Sequence, residues 1–169
     1  MNTTETTIAR PVGATRAGPI HLRVERTIAA PPAVVFDLIT DIDRMSDWSP
    51  EITESRWLGG AEGPEEGARF FGRNEAGSLS WTTKPTVTEV VDGRVFEFRV
   101  PMPSRSTWRY ELTPIDGGTR VVELLDQTKR SPFFIRLLQK RAGITDRAAD
   151  LESAMRTTLD RLAAVAERA

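Results

Sequence analysis

The sequence contains no cysteine, and it has a single histidine and a single tyrosine among 169 residues. Without cysteine there are no disulfides, no thiol nucleophile and no thiolate metal ligand. His21 alone would have to supply any imidazole ligand or any Ser-His-Asp triad, and no serine lies in a G-x-S-x-G motif. We therefore expect no metal site and no cofactor, and we interpret His21 as a solvated residue at the edge of a strand.

The chain also has little net charge and no long apolar run. The net charge is −1, with 39% apolar and 28% charged residues, which is typical of a soluble globular protein and gives no pull toward nucleic acid. No apolar run reaches the roughly 18 residues that an integral membrane segment needs. Residues 1–19 lack the apolar core of a signal peptide and are rich in Thr, Gly, Ala and Pro. They predict a flexible arm before one domain at 20–169, and the lack of cysteine is consistent with a cytoplasmic location.

The hydrophobic periodicity changes several times along the chain. IHLRVERTI, 20–28, alternates as a half-buried strand does, and AAPPAVVFDLIT, 29–40, has helical spacing after its prolines. Asp41 predicts the cap of a second short helix, which ends at Trp48 because Pro50 follows. Period-two patterns and turn residues then predict six strands, at 52–58, 68–74, 79–91, 94–100, 105–114 and 119–128. Pro85 cannot donate to a ladder, so we expect the strand at 79–91 to bend there.

The end of the chain is helical in pattern. A helix is predicted at 131–143, with Ser131 as its cap, and Thr145 can cap a restart that runs through 167. The predicted fold is therefore α+β, with seven antiparallel strands covered by one long C-terminal helix and two short helices between the first two strands. A curved sheet wrapped around one helix leaves a gap between them, which is a natural site for a small molecule.

Several stretches of the sequence resemble a known superfamily. The chain resembles START/Bet v 1-like (SRPBCC) proteins in four stretches. The first strand and helix pair of that superfamily are similar to VERTIAAPPAVVFDLITDIDRMSDWSP, and its third strand is similar to GARFFGRNEAG followed by Trp81. Its last hairpin is similar to TWRYELTPIDGGTRVVE, and its final helix to MRTTLDRLAAVAE. More narrowly, the chain resembles the polyketide cyclase/dehydrase and lipid-transport family. The resemblance covers about residues 20–167 and implies the helix-grip fold. It also implies a small hydrophobic ligand between the sheet and the C-terminal helix, but it does not decide between activities.

Alternation along the strands and helical spacing at the C-terminus propose the residues of this ligand site. Trp108, Tyr110 and Leu112 share one face of their strand, which we expect to point inward. The predicted ligand-binding residues are Trp48, Phe70, Asn74, Trp81, Phe98, Trp108, Met155 and Leu159. For Trp48 two interpretations stay open, because this aromatic side chain either packs in the core or contacts ligand at the entrance.

Glu123 and Tyr110 are the candidate catalytic residues. Both faces of the last predicted strand are apolar, so the period does not tell whether Glu123 points into the site or toward solvent. An inward Glu123 would have a raised pKa and could transfer protons near neutral pH beside Tyr110 and Asn74. That chemistry suits enolisation, aldol-type cyclisation or loss of water.

Three functions remain open from the sequence. The chain is a cyclase- or dehydratase-like enzyme, a non-catalytic carrier of a lipid or metabolite, or a protein-interaction module whose pocket is filled by its own aromatic side chains. The basic and apolar stretch KRSPFFIRLLQKR, 129–141, is either a solvated helix start or a peripheral contact with an anionic membrane. Monomer and homodimer are both compatible with the sequence.

Overall fold

Eight strands and three α-helices make up the part of the chain that the computed structural model describes, residues 19–102, 105–128 and 132–168. In chain order the elements are β1 (Ile20–Ile28), α1 (Pro32–Thr40), a 3₁₀ helix (Ile42–Asp47), β2 (Ile52–Leu58), β3 (Arg69–Ala76), β4 (Leu79–Thr83), β5 (Thr86–Val91), β6 (Val95–Val100), β7 (Ser106–Ile115), β8 (Gly118–Gln127), α2 (Phe133–Arg141) and α3 (Arg147–Ala166). Of the predicted arm at 1–19, only residue 19 is among the described residues. The predicted cap, Ser131, also lies outside them.

The strands form one antiparallel sheet whose path is β1-β8-β7-β6-β5-β3-β2, with β4 paired to β3 beside that path. Register shifts interrupt β2 between Ile52 and Glu54 and β5 between Val87 and Glu89. An extra residue at such a bulge bends the strand and increases its twist, which favours a curled sheet. The curled sheet and the long α3 together give the predicted helix-grip fold of the α+β class.

Proline divides the strand that the sequence predicts at 79–91. β4 ends at Thr83 and β5 begins at Thr86, so the described sheet has eight strands, seven of them along the main path. Pro85 has no N–H to donate, but its carbonyl oxygen accepts a hydrogen bond from the Phe70 N–H at 3.2 Å. The chain therefore stays attached to β3 at this point while it changes from one pairing to the next.

A side-chain hydrogen bond is made at each end of α3. The Asp146 side chain, rather than the predicted Thr145, accepts the first-turn N–H of Ala149 at 3.1 Å. At the other end, the Glu167 carboxylate accepts the Ala29 N–H at 3.1 Å just beyond β1. Between these ends the apolar face of α3 is buried over most of its length.

The 3₁₀ helix and the segment after it close one end of the core. The Ser55 hydroxyl of β2 donates to the Ile42 carbonyl oxygen at 2.6 Å and so ties this helix to the sheet. Asp41 precedes the helix, but its side chain makes none of the predicted capping hydrogen bonds. Trp48 follows the helix and is buried in the main hydrophobic core. Of the described helices, none is both long and apolar enough to cross a membrane.

Candidate active site

A cavity of about 290 Å³ lies between the concave face of the sheet, α2 and α3. Its volume is just below the roughly 300–1,000 Å³ that small-molecule sites occupy. Strands β2, β3, β4, β6, β7 and β8 supply one wall, and α3 supplies the other from Arg147 to Thr158. The lining is mostly apolar, so the few polar atoms that reach the cavity are the candidates for specific contacts with a ligand.

Most of the predicted site residues line this cavity. Those that do are Phe70, Asn74, Trp81, Phe98, Trp108, Tyr110, Glu123 and Met155. Trp48 and Leu159 are buried in the core and do not line the cavity, so the prediction that they contact ligand is not supported by their positions. Thr158 is the last residue of α3 that lines the cavity, and Leu159 already packs in the core. Trp48 packs in the hydrophobic core after the 3₁₀ helix.

The register between β7 and β8 brings the two candidate catalytic residues together. Tyr110 and Glu123 are direct cross-strand partners, so their side chains lie side by side on the concave face. The Tyr110 hydroxyl donates a hydrogen bond to Glu123 Oε1 at 2.8 Å. Glu123 is only 2% exposed, so the interpretation in which it faces solvent is wrong.

Burial controls the protonation of this pair. Removal from water raises the pKa of Glu123 to about 8, although the hydrogen bond from Tyr110 acts in the opposite direction. Burial, and then the neighbouring carboxyl group, raise the pKa of Tyr110 well above its ordinary value. At neutral pH both side chains are therefore predominantly protonated.

The two carboxyl oxygens of Glu123 have different surroundings. Glu123 Oε2 is buried and has no hydrogen-bond partner among the described residues. Since Oε1 accepts from Tyr110, a proton on Oε2 is available for donation. A buried polar atom without a partner is costly, and here a ligand acceptor in the cavity would satisfy it.

Asn74 does not join this pair. It lies on β3, and three strands, β5 to β7, separate β3 from β8 along the sheet path. Its side-chain amide donates long hydrogen bonds of 3.4 Å to the Gly72 carbonyl and to Thr83 Oγ1. Asn74 therefore lines the cavity some distance along the sheet from Glu123, and the predicted constellation of three residues is reduced to two.

An ion pair that sequence reasoning missed lies at another part of the lining. The Arg147 guanidinium at the start of α3 binds both carboxylate oxygens of Glu51, one of them at 2.7 Å through Nη2. It also lies over the Trp81 ring, 5.7 Å from the centroid. The sequence shows only that Arg147 lies in the first turn of a predicted helix and that Glu51 follows the end of another. Neither position predicts that the two side chains, 96 residues apart, form an ion pair.

The described residues contain no group of three or more His, Asp or Glu side chains that could hold a metal ion. The arrangement instead offers an apolar cavity, one protonated carboxyl group with a free oxygen, and one aromatic hydroxyl that orients it. Such a set can bind a molecule with a carbonyl or hydroxyl oxygen and can supply a proton to that oxygen.

Comparison with known proteins shows the family of this chain. A family model described as polyketide cyclase/dehydrase and lipid transport matches residues 19–167. The chain belongs to the polyketide cyclase/dehydrase and lipid-transport family. No curated protein sequence matches it at a significant level.

Solved structures share the fold of this family member at low sequence identity. Protein CV1439 from Chromobacterium violaceum has a TM-score of 0.67 at 16% identity, over 88% of this chain and 99% of that one. The di-domain ARO/CYC StfQ from the steffimycin biosynthetic pathway has a TM-score of 0.70 at 13% identity, over 89% of this chain and 51% of that one. Ginseng major latex-like protein 151 from Panax ginseng has a TM-score of 0.65 at 12% identity, over 90% and 99%. These likenesses show that the fold is shared.

Proposed function

We propose that this protein binds a small, uncharged and largely apolar molecule that carries a carbonyl group, and that Glu123 acts on it as a proton donor. The observation that carries the proposal is the buried Glu123 Oε2, which is unpartnered among the described residues and belongs to a carboxyl group with a pKa of about 8. A charged ligand would be disfavoured beside this group, because the lining is mostly apolar.

The first proposed step is hydrogen bonding from Glu123 Oε2–H to the carbonyl oxygen of the ligand. This bond polarises the carbonyl and makes its carbon more electrophilic. In an aldol-type cyclisation, an enol carbon of the same ligand attacks that carbon, and the carbonyl oxygen takes the proton from Glu123. The enol hydroxyl then returns its proton to the Glu123 carboxylate, so the protein ends in its starting state.

Dehydration follows the same proton balance. Glu123 donates its proton to a departing hydroxyl group, water leaves, and the carboxylate removes a proton from the neighbouring carbon as the double bond forms. The hydroxyl of Tyr110 stabilises the transient carboxylate through its hydrogen bond to Oε1. Tyr110 is thus the positioning residue in this scheme, and Glu123 is the group that contacts the reacting atoms.

A non-catalytic carrier is the main alternative, because apolar lining and shape are sufficient for transport. The interaction module with a filled pocket has less support, since Trp81 and Trp108 line a cavity of about 290 Å³ and do not fill it. Enzyme and carrier differ in what they require of Glu123, and that difference can be measured.

The test begins with native mass spectrometry of the protein purified from its own source, followed by denaturing extraction of any bound molecule. We expect a ligand that contains a carbonyl group. Glu123→Gln should keep binding, because glutamine has the same shape and an amide donor, but it should abolish turnover of that ligand or of its precursor. Thr158→Val is the matched control, because it removes a different cavity-lining hydroxyl. Unchanged turnover in Glu123→Gln would remove Glu123 from the chemistry, and tight binding without turnover in the wild type would favour the carrier.

A further inference from the structure

Helix α2 presents large apolar side chains to solvent. None of its nine residues is buried, whereas α1 and α3 each bury a full face. Phe133 is 75% exposed, Phe134 60% and Leu137 41%. Aromatic side chains at such exposure are unfavourable in water unless another surface covers them.

The two sides of α2 have different roles. At about 100° per residue, Phe133, Phe134 and Leu137 fall on the outer side of the helix. Ile135 and Gln139 fall on the opposite side, where they line the cavity. The outer apolar side is therefore left over after α2 has packed against the cavity, and nothing in the described part of the chain covers it.

Positive charge flanks the exposed apolar side chains. Helical geometry places Arg136 and Lys140 along one border of the outer side, and Arg141 on the outer side itself, between Leu137 and Phe134. The sequence has no acidic residue between Asp126 and Asp146, although the whole chain has a net charge of −1. The positive charge is thus a local property of the α2 region.

We propose that the outer side of α2 docks on the surface of an anionic lipid bilayer. Aromatic and leucine side chains that enter the boundary between headgroups and acyl chains, with Lys and Arg at the headgroup level, are the pattern of an interfacial helix. A second copy of the chain fits less well, because symmetric packing of α2 on α2 would bring like charges together. The negative surface of a bilayer complements this charge.

Docking in this orientation has a consequence for the cavity. The outer side of α2 would contact lipid while Ile135, on its inner side, still lines the cavity. Only one helix would then separate the cavity from the bilayer, so an apolar ligand could pass between them with a short path through water. The docking itself does not depend on the proposed chemistry at Glu123.

The experiment is co-sedimentation of the full chain with sucrose-loaded vesicles, without added ligand. One set of vesicles is pure phosphatidylcholine, and the other contains equal parts of phosphatidylcholine and phosphatidylglycerol. We expect binding to the anionic vesicles that weakens as salt is raised, and little binding to the neutral ones. Phe133→Ser with Phe134→Ser, and separately Arg136→Gln with Lys140→Gln, should each lower binding roughly tenfold or more.

Matched controls carry comparable substitutions elsewhere on the surface. Val91→Ser with Ile115→Ser changes two exposed apolar residues, and Lys84→Gln with Arg94→Gln changes two exposed cations outside α2. Both controls should bind as the wild type does, and circular dichroism confirms that every variant is folded. The proposal is overturned if the wild type ignores anionic vesicles, or if the controls lose as much binding as the α2 variants. It is also overturned if light scattering shows a dimer that only the phenylalanine variant disrupts.

Discussion

Replacing Glu123 by Gln should change how the stability of this protein depends on pH. The folded protein holds a proton on Glu123 up to a pKa of about 8, whereas the ordinary value is 4.5. Between these two values the unfolded chain has released the proton and the folded chain has not. Stability from this group is therefore fully present below about pH 4.5 and is lost as pH rises toward about 8. Glutamine does not titrate, so the variant does not show this loss.

The size of the effect follows from the two pKa values. Each pH unit between them lowers the free energy of unfolding of the wild type by about 1.4 kcal/mol. Allowing for partial ionisation near each end, we expect a loss of about 2.5 kcal/mol between pH 5.5 and pH 7.5 from Glu123 alone. Full burial of the side chain means that solvent screening does not reduce this value appreciably. The Tyr110 hydroxyl stays protonated throughout, since its pKa is raised well above its ordinary value.

The assay is urea unfolding of both proteins at about pH 5.5, 6.5 and 7.5, followed by tryptophan fluorescence. All other titrating groups are common to the two proteins and cancel in the difference of their free energies of unfolding. The substitution itself adds an offset that is constant with pH. The variant should gain about 2.5 kcal/mol relative to the wild type across this range, with unchanged urea dependence. Parallel pH profiles would show that Glu123 is ionised in the folded protein and would refute the reasoning.

Three further substitutions test other contacts. Tyr110→Phe removes the hydrogen bond that lowers the pKa of Glu123, so a carbon-13 NMR titration should place that pKa above about 8, and urea unfolding should show a loss of about 1–3 kcal/mol. Glu51→Gln breaks the two-point contact with Arg147 and should lower the free energy of unfolding by about 1–3 kcal/mol. The control Glu152→Gln breaks the more exposed ion pair with Arg156 within α3 and should lower it by about 0.5 kcal/mol or less. Equal losses of the two variants in urea unfolding would contradict this. Gly118→Ala would place a Cβ 2.2 Å from the carbonyl oxygen of the last residue of β1, so calorimetry should show a loss of about 3 kcal/mol, and an unchanged melting temperature would rule out this close approach.

The fold could be predicted from the sequence because local patterns and overall architecture agree. Alternation, turn residues and helical spacing place nearly every element within a few residues of its observed bounds. The main departure is the strand at 79–91. Sequence reasoning recognised that Pro85 interrupts it. It could not show that the first half, β4, pairs with β3 beside the main path, whereas the second half, β5, pairs with β6 and, at one residue, with β3. That outcome depends on long-range pairing, which periodicity does not record.

The site was only partly predictable for a similar reason. The inward face of β7 follows from its alternation, since one of its faces is clearly apolar, and Tyr110 lies there as expected. In β8 both Val121 and Val122 are buried, so alternation could not orient Glu123. Pairing with Tyr110 settles its direction. The contact between Glu51 and Arg147 depends on how α3 lies across the sheet, which the sequence does not encode locally.

The loss of stability that Glu123 causes is itself an argument that this residue transfers a proton. At pH 7 the raised pKa costs the folded protein about 3 kcal/mol relative to a group that ionises normally in both states. Proteins are marginally stable by roughly 5–15 kcal/mol, so this is a large fraction. A leucine or glutamine at this position would avoid the cost and would still fill the space beside Tyr110. An ionisable side chain placed in an apolar cavity, with one oxygen held by a tyrosine and the other unpartnered among the described residues, is the arrangement expected where a proton is used.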